Sequence, residues 1–196
     1  MVVLLCMVAS AWAGKKKESA RMPSKAVPCL VTSKGIMGLA PGMTLREARR
    51  RLPDCHFVRV TDVDGTALVA VRRGDEELVL LHTDKRGNPQ VPALRKRINW
   101  NARIKGMETF HETCRMENGL HPGTPLPEVE ERWGKVTEIV QSDIESREYA
   151  TFPRMPHGIV IRVDYCGVFE EGRTTDRYRA GGKIQAIGVF DSLFAP

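Results

Sequence analysis

The sequence has no apolar run approaching the roughly 20 residues that a bilayer-spanning helix requires, so no transmembrane segment is expected in the mature chain. It also lacks Gly-x-Ser-x-Gly, His-Glu-x-x-His and any glycine loop that would cradle a phosphate, which removes the common signatures of serine hydrolases, zinc proteases and nucleotide binders. None of the five cysteines lies two to four residues from another, so structural zinc is not expected. The histidines are scattered singly at His56, His82, His111, His121 and His157, with His82 read as an ordinary strand residue. Aromatics make up only 6%. What is present is ordinary globular material: 42% hydrophobic and 28% charged residues, enough for one or two small cores and unlike a collagen, coiled coil or disordered chain.

Residues 2–13 are uncharged and mostly apolar and end in Ala11-Trp12-Ala13, the small-x-small pattern of a secretory cleavage site. Residues 1–13 are therefore read as a signal peptide, although its charged leading region is reduced to the amino terminus itself, consistent with a start codon upstream. Cleavage after Ala13 removes Cys6 and leaves Cys29, Cys55, Cys114 and Cys166. Four cysteines in an exported chain predict two disulfides, with three connectivities open. Localisation is then periplasmic or secreted.

Residues 14–37 carry Lys15, Lys16, Lys17, Arg21, Lys25 and Lys34 against Glu18, which leaves the body from Gly38 onward with one of the net six positive charges. The basicity belongs to a leader, residues 14–25, expected to be flexible. A nucleic-acid footprint needs a basic face on the folded domain, so no nucleic-acid partner is expected. Arg49-Arg50-Arg51 and Arg95-Lys96-Arg97 read as solvated charge.

The strongest pattern is internal. Residues 38–52 lie over residues 119–133 at a constant offset of 81, with Gly, Leu, Pro, Gly, Leu, Glu and Arg identical. Gly-Leu-x-Pro-Gly predicts a tight turn, and a helix follows each turn. Thr44 and Glu47 form a capping-box pattern, and Thr124 is expected to cap the second helix with Pro125 at its first position. Leu45, Ala48 and Leu52, matched by Leu126, Val129 and Trp133, give each helix one apolar stripe. Alternation then predicts strands near 57–61, 67–72 and 77–82, and near 136–142, 147–152 and 159–165, closed by fourth strands at 103–110 and 183–190. A further strand near 26–32 is expected to add to an edge. The predicted fold is α+β: two tandem units, 26–112 and 113–196, each a short helix packed on an antiparallel sheet of about four strands.

One string, Val60-Thr61-Asp62-Val63-Asp64-Gly65-Thr66, resembles the first motif of haloacid-dehalogenase-type phosphatases. That resemblance implies a Mg²⁺-dependent phosphatase with Asp62 as phosphoryl acceptor and Asp64 as acid/base. The surrounding alternating strands instead read as a hairpin with an Asp-Gly turn, and this is the preferred interpretation.

The run Ile36-Met37-Gly38-Leu39-Ala40-Pro41-Gly42-Met43-Thr44-Leu45-Arg46-Glu47-Ala48 resembles the start of envelope domains of the SmpA/OmlA type and of the β-lactamase inhibitor protein. In those, Gly-Met-Thr opens a helix and an antiparallel sheet follows; the inhibitor joins two such units into one concave binding surface. The resemblance implies a binding protein and would make the hairpin tip with Asp62 and Asp64 the place where an acid is presented to a partner. The expected function is an exported, non-catalytic protein, needing no cofactor, that binds a protein or cell-envelope component through its sheet surface. Anchoring of the basic leader to anionic lipid is a third possibility.

Overall fold

The structure, a computed structural model, describes residues 27–61, 67–84, 98–143 and 146–191. The signal peptide, the basic leader, Arg95-Lys96-Arg97 and the candidate residues Asp62 and Asp64 lie outside the described residues. In chain order the elements are β1 (Leu30–Thr32), β2 (Gly35–Ile36), α1 (Leu45–Arg51), β3 (His56–Thr61), β4 (Ala67–Arg73), β5 (Glu76–Thr83), β6 (Ile104–Thr109), β7 (Arg115–Met116), α2 (Leu126–Trp133), β8 (Glu138–Gln141), β9 (Glu148–Thr151), β10 (Ile159–Val163), β11 (Thr174–Thr175) and β12 (Ile184–Phe190).

These elements do not make two helix-on-sheet units, and the expectation of a tandem α+β arrangement is corrected accordingly. The fold is mostly β. Nine strands form one continuous sheet in the order β11-β8-β9-β10-β12-β6-β5-β4-β3, and β2-β1-β7 form a second, small sheet. The cause lies at β6 and β12. Each closes its own run of strands and so leaves an edge of unpaired amides and carbonyls, which is a template for pairing. The two edges satisfy one another, antiparallel, with Thr109 opposite Ile187, Glu108 opposite Gly188, Met107 opposite Val189 and Gly106 opposite Phe190. The two proposed ranges are also tied across their boundary: β1 pairs in parallel with β7, and Cys29 is disulfide-bonded to Cys114. The early strand therefore joins a separate sheet and not an edge of the large one.

One core serves the described residues. Val69, Val71, Val79, Leu81, Met107, Val189, Ile187, Ile159, Ile161, Ala150 and Ile139, directly opposed along the sheet, cluster with Leu45, Ala48 and Leu52 of the α1 region and with Leu126, Val129 and Trp133 of α2. Val31 and Ile36 of the small sheet belong to the same cluster. Helices of seven and eight residues do not persist alone, so this burial, worth about 1.5–3 kcal/mol for each large apolar side chain, is what holds α1 and α2.

The two Pro-Gly corners are built alike. Gly42 and Gly123 adopt φ of 86° and 95°, where a side chain would be strained. Each donates its amide to the strand that closes its run, Gly42 to Ile104 and Gly123 to Ile184, both at 2.7 Å. The helix starts differ. Thr44 and Glu47 form the complete capping box, whereas α2 has Pro125 as its N-cap and no side-chain cap. The buried Thr124 hydroxyl instead accepts the His121 amide at 3.0 Å, stabilising the preceding turn.

Candidate functional site

Directly opposed residues in an antiparallel sheet share a face. With Met107 and Val189 turned into the core, their neighbours Gly106, Glu108, Gly188 and Phe190 face the other way. The registers place three cross-strand rows on this open face: His82, Gly106 and Phe190; Leu80, Glu108, Gly188 and Val160; and Ala186, Arg162, Tyr149 and Val140. Leu68, Ala70 and Ala186 are buried on this side without joining the main core cluster.

The rows converge on a pocket of about 120 Å³ lined by His82, Glu108, Arg147, Tyr149, Val160, Arg162, Ala186, Gly188 and Phe190. It sits over the β6–β12 seam and therefore draws on strands from both of the ranges first read as separate units. Small residues make its floor. A β-carbon on Gly106 would lie 2.2 Å from Cδ1 of Phe190, and one on Gly188 would lie 2.6 Å from Cε2, so the Phe190 ring occupies the space over both glycines. The His82 ring packs beside it, with centroids 5.2 Å apart.

The polar groups are arranged in two sets. His82 Nε2 and Glu108 Oε1 are 3.2 Å apart, with the Glu108 side chain 11% exposed, so a buried acid has its own partner. On the other side are Arg147, Tyr149 and Arg162. Burial pushes the Tyr149 phenol above the ordinary tyrosine range; the Glu108 carboxylate adds to that rise, and Arg147 and Arg162 oppose it. The Arg162 guanidinium stands 5.6 Å from the Phe110 ring centroid in a cation–π contact, and Phe110 itself is 41% exposed. Arg162 Nε is buried and has no hydrogen-bond partner among the described residues. Among the described residues no Ser, Cys or Thr lines the pocket. The groups on offer are two guanidiniums, a phenol, an aromatic ring and the His82–Glu108 imidazole–carboxylate pair.

The cysteines selected from the sequence lie elsewhere, and Asp62 and Asp64 fall outside the described residues. Cys29 and Cys114 form one disulfide, while Cys55 and Cys166 are buried free thiols, so two bridges are replaced by one. Burial raises the pKa of Cys55, and it pushes Cys166 to about 11, with Asp164 and Glu148 adding to the rise. Such thiols remain protonated and unreactive. Residues 62–66 connect β3 to β4, which are antiparallel neighbours with Thr61 opposite Ala67, not the parallel strand that the phosphatase motif follows. Among the described residues no group of three or more His, Cys, Asp or Glu is placed to hold a metal. Of the histidines only His82 joins the pocket; His121 Nδ1 meets the Pro122 carbonyl oxygen at 2.7 Å and His111 Nδ1 meets the Thr113 hydroxyl at 2.8 Å, both local contacts.

Glu108, Arg147, Tyr149, Arg162 and Phe190 are site residues that pattern reading missed. Their signal was a charge within alternating apolar strands: Glu108 between Met107 and Thr109, and Arg162 between Ile161 and Val163.

No protein-family model and no curated protein matches this chain. Among solved structures it is similar to the uncharacterized protein yfeY from Escherichia coli, at 13% identity and a TM-score of 0.45, over 85% of this chain and 96% of that one. Among the described residues no helix is long and apolar enough to cross a membrane.

Proposed function

We propose that this chain is an exported, non-catalytic binding protein that engages a protein of the cell envelope through the open face of its nine-stranded sheet. The observation that carries this reading is the pocket across the β6–β12 seam, with Phe110, Tyr149 and Phe190 grouped around two arginines on the face opposite the core. Aromatic and arginine side chains are the residues that dominate protein interfaces. The Cys29–Cys114 disulfide supports an oxidising compartment, and the apolar stretch 2–13 supports export. The resemblance of residues 36–48 to SmpA/OmlA-type domains and the β-lactamase inhibitor protein is part of this proposal.

The test compares capture from an envelope extract by the wild-type chain, by Phe110→Ala/Tyr149→Ala on the open face, and by Arg50→Ala on α1. A partner retained by the first and third proteins and lost by the second supports the reading. No protein above background, or equal loss with Arg50→Ala, counts against it.

A further inference from the structure

The pocket has the charge and size to receive a specific group. Arg147 and Arg162 against Glu108 leave it net positive, and Glu108, already paired with His82, opposes entry of a doubly charged anion. Arg162 lines the pocket, its Nε has no hydrogen-bond partner among the described residues, and a donor left unmatched is costly unless something supplies the acceptor. A planar guanidinium matches a planar carboxylate in two parallel hydrogen bonds, and the half-buried Tyr149 hydroxyl adds a donor on the same row as Arg162. Val160 and Phe190 supply apolar wall for a short methylene stem. A volume of about 120 Å³ gives room for the end of one side chain.

We propose that this pocket seats the carboxylate of an aspartate or glutamate side chain presented by the protein partner, with Arg162 as the principal donor and Arg147 and Tyr149 completing the contact. This rests on the protein-binding reading above and specifies its anchor. The partner places an acid over the seam, and the surrounding sheet face excludes water from the ion pair.

The experiment titrates the full folded chain, ¹⁵N-labelled, and follows the Arg162 Nε–Hε resonance. The probes are N-acetyl-glutamate amide, N-acetyl-glutamine amide, glutarate and inorganic phosphate. The expected result is a saturable shift with the capped glutamate and none with the capped glutamine. Phosphate and glutarate bind more weakly than the capped glutamate. Arg162→Lys weakens the capped glutamate about tenfold or more, since lysine retains charge but not the planar pair of donors. Because the wild-type resonance is read directly, a poorly folded variant does not remove the test; Tyr149→Phe, expected to weaken binding less than Arg162→Lys, is the second variant. No shift of Arg162, an equal response to capped glutamine, or unchanged affinity in Arg162→Lys overturns the carboxylate seat. Tighter phosphate binding overturns the choice of a carboxylate, and tighter glutarate binding overturns the choice of a protein side chain. A pocket that binds capped glutamate while no envelope protein is captured separates failure of the partner reading from failure of the pocket.

Discussion

The Phe190 ring lies over Gly106, the residue directly opposite it on the neighbouring strand, and there is no room for a β-carbon beneath it: one would approach Cδ1 to 2.2 Å. This glycine is a requirement of the seam. Gly106→Ala is expected to displace the ring from its place beside His82 and to cost about 1–3 kcal/mol, measured by urea denaturation. In a Phe190→Ala background the same substitution should be nearly neutral, and the coupling from the double-mutant cycle should exceed about 1 kcal/mol. Additive effects would mean that the ring does not pack there.

The single bridge gives a direct chemical count. The chain expressed without residues 1–13, denatured without reductant, should expose two reactive thiols, Cys55 and Cys166. None would be found if all four remaining cysteines were paired. Cys29 and Cys114 are separated by 85 residues, so replacing both with serine should lower stability by about 2–4 kcal/mol, by releasing a long loop in the unfolded chain.

Alkali should report on Cys166. Its pKa rises from an ordinary 9.0 to about 11 in the fold. Between those values the folded chain holds a proton that the unfolded chain has released. The contribution is therefore present in full below pH 9 and lost as pH rises through about 11. Relative to Cys166→Ala, the wild type should lose on the order of 2 kcal/mol across that interval. Thiolate absorbance from Cys166 should stay absent until the upper part of it.

The two helix starts should respond through different bonds. Thr44→Ala removes a capping box and should cost about 1 kcal/mol, with helix α1 fraying at its first turn. Thr124→Ala removes the acceptor of the His121 amide and should instead loosen the turn before α2, seen as faster amide exchange at His121. Equal fraying of α2 would show that Thr124 caps after all.

Local chemistry was the readable part of this sequence. The Pro-Gly corners, the Thr44–Glu47 box and the alternating strands each depend on residues close together in the chain, and each is found at its place. The pairing of β6 with β12 was not readable, because nothing in the alternation of a strand says whose edge it will meet. That one pairing turns two expected units into a single sheet. The site was illegible for the same reason. His82 and Glu108 are 26 residues apart, and only the β5–β6 register brings them together. Arg162 and Phe190 reach them only across the seam.

The most direct test of binding through the open face is a site-specific photocrosslink in the native envelope, with a photoreactive benzoyl-phenylalanine in place of Phe110 and, separately, in place of Arg50. A discrete adduct to one envelope protein from position 110, absent from position 50 and weakened by Arg162→Lys, is the predicted result. Adducts from position 50 alone, or none from position 110, would contradict the account.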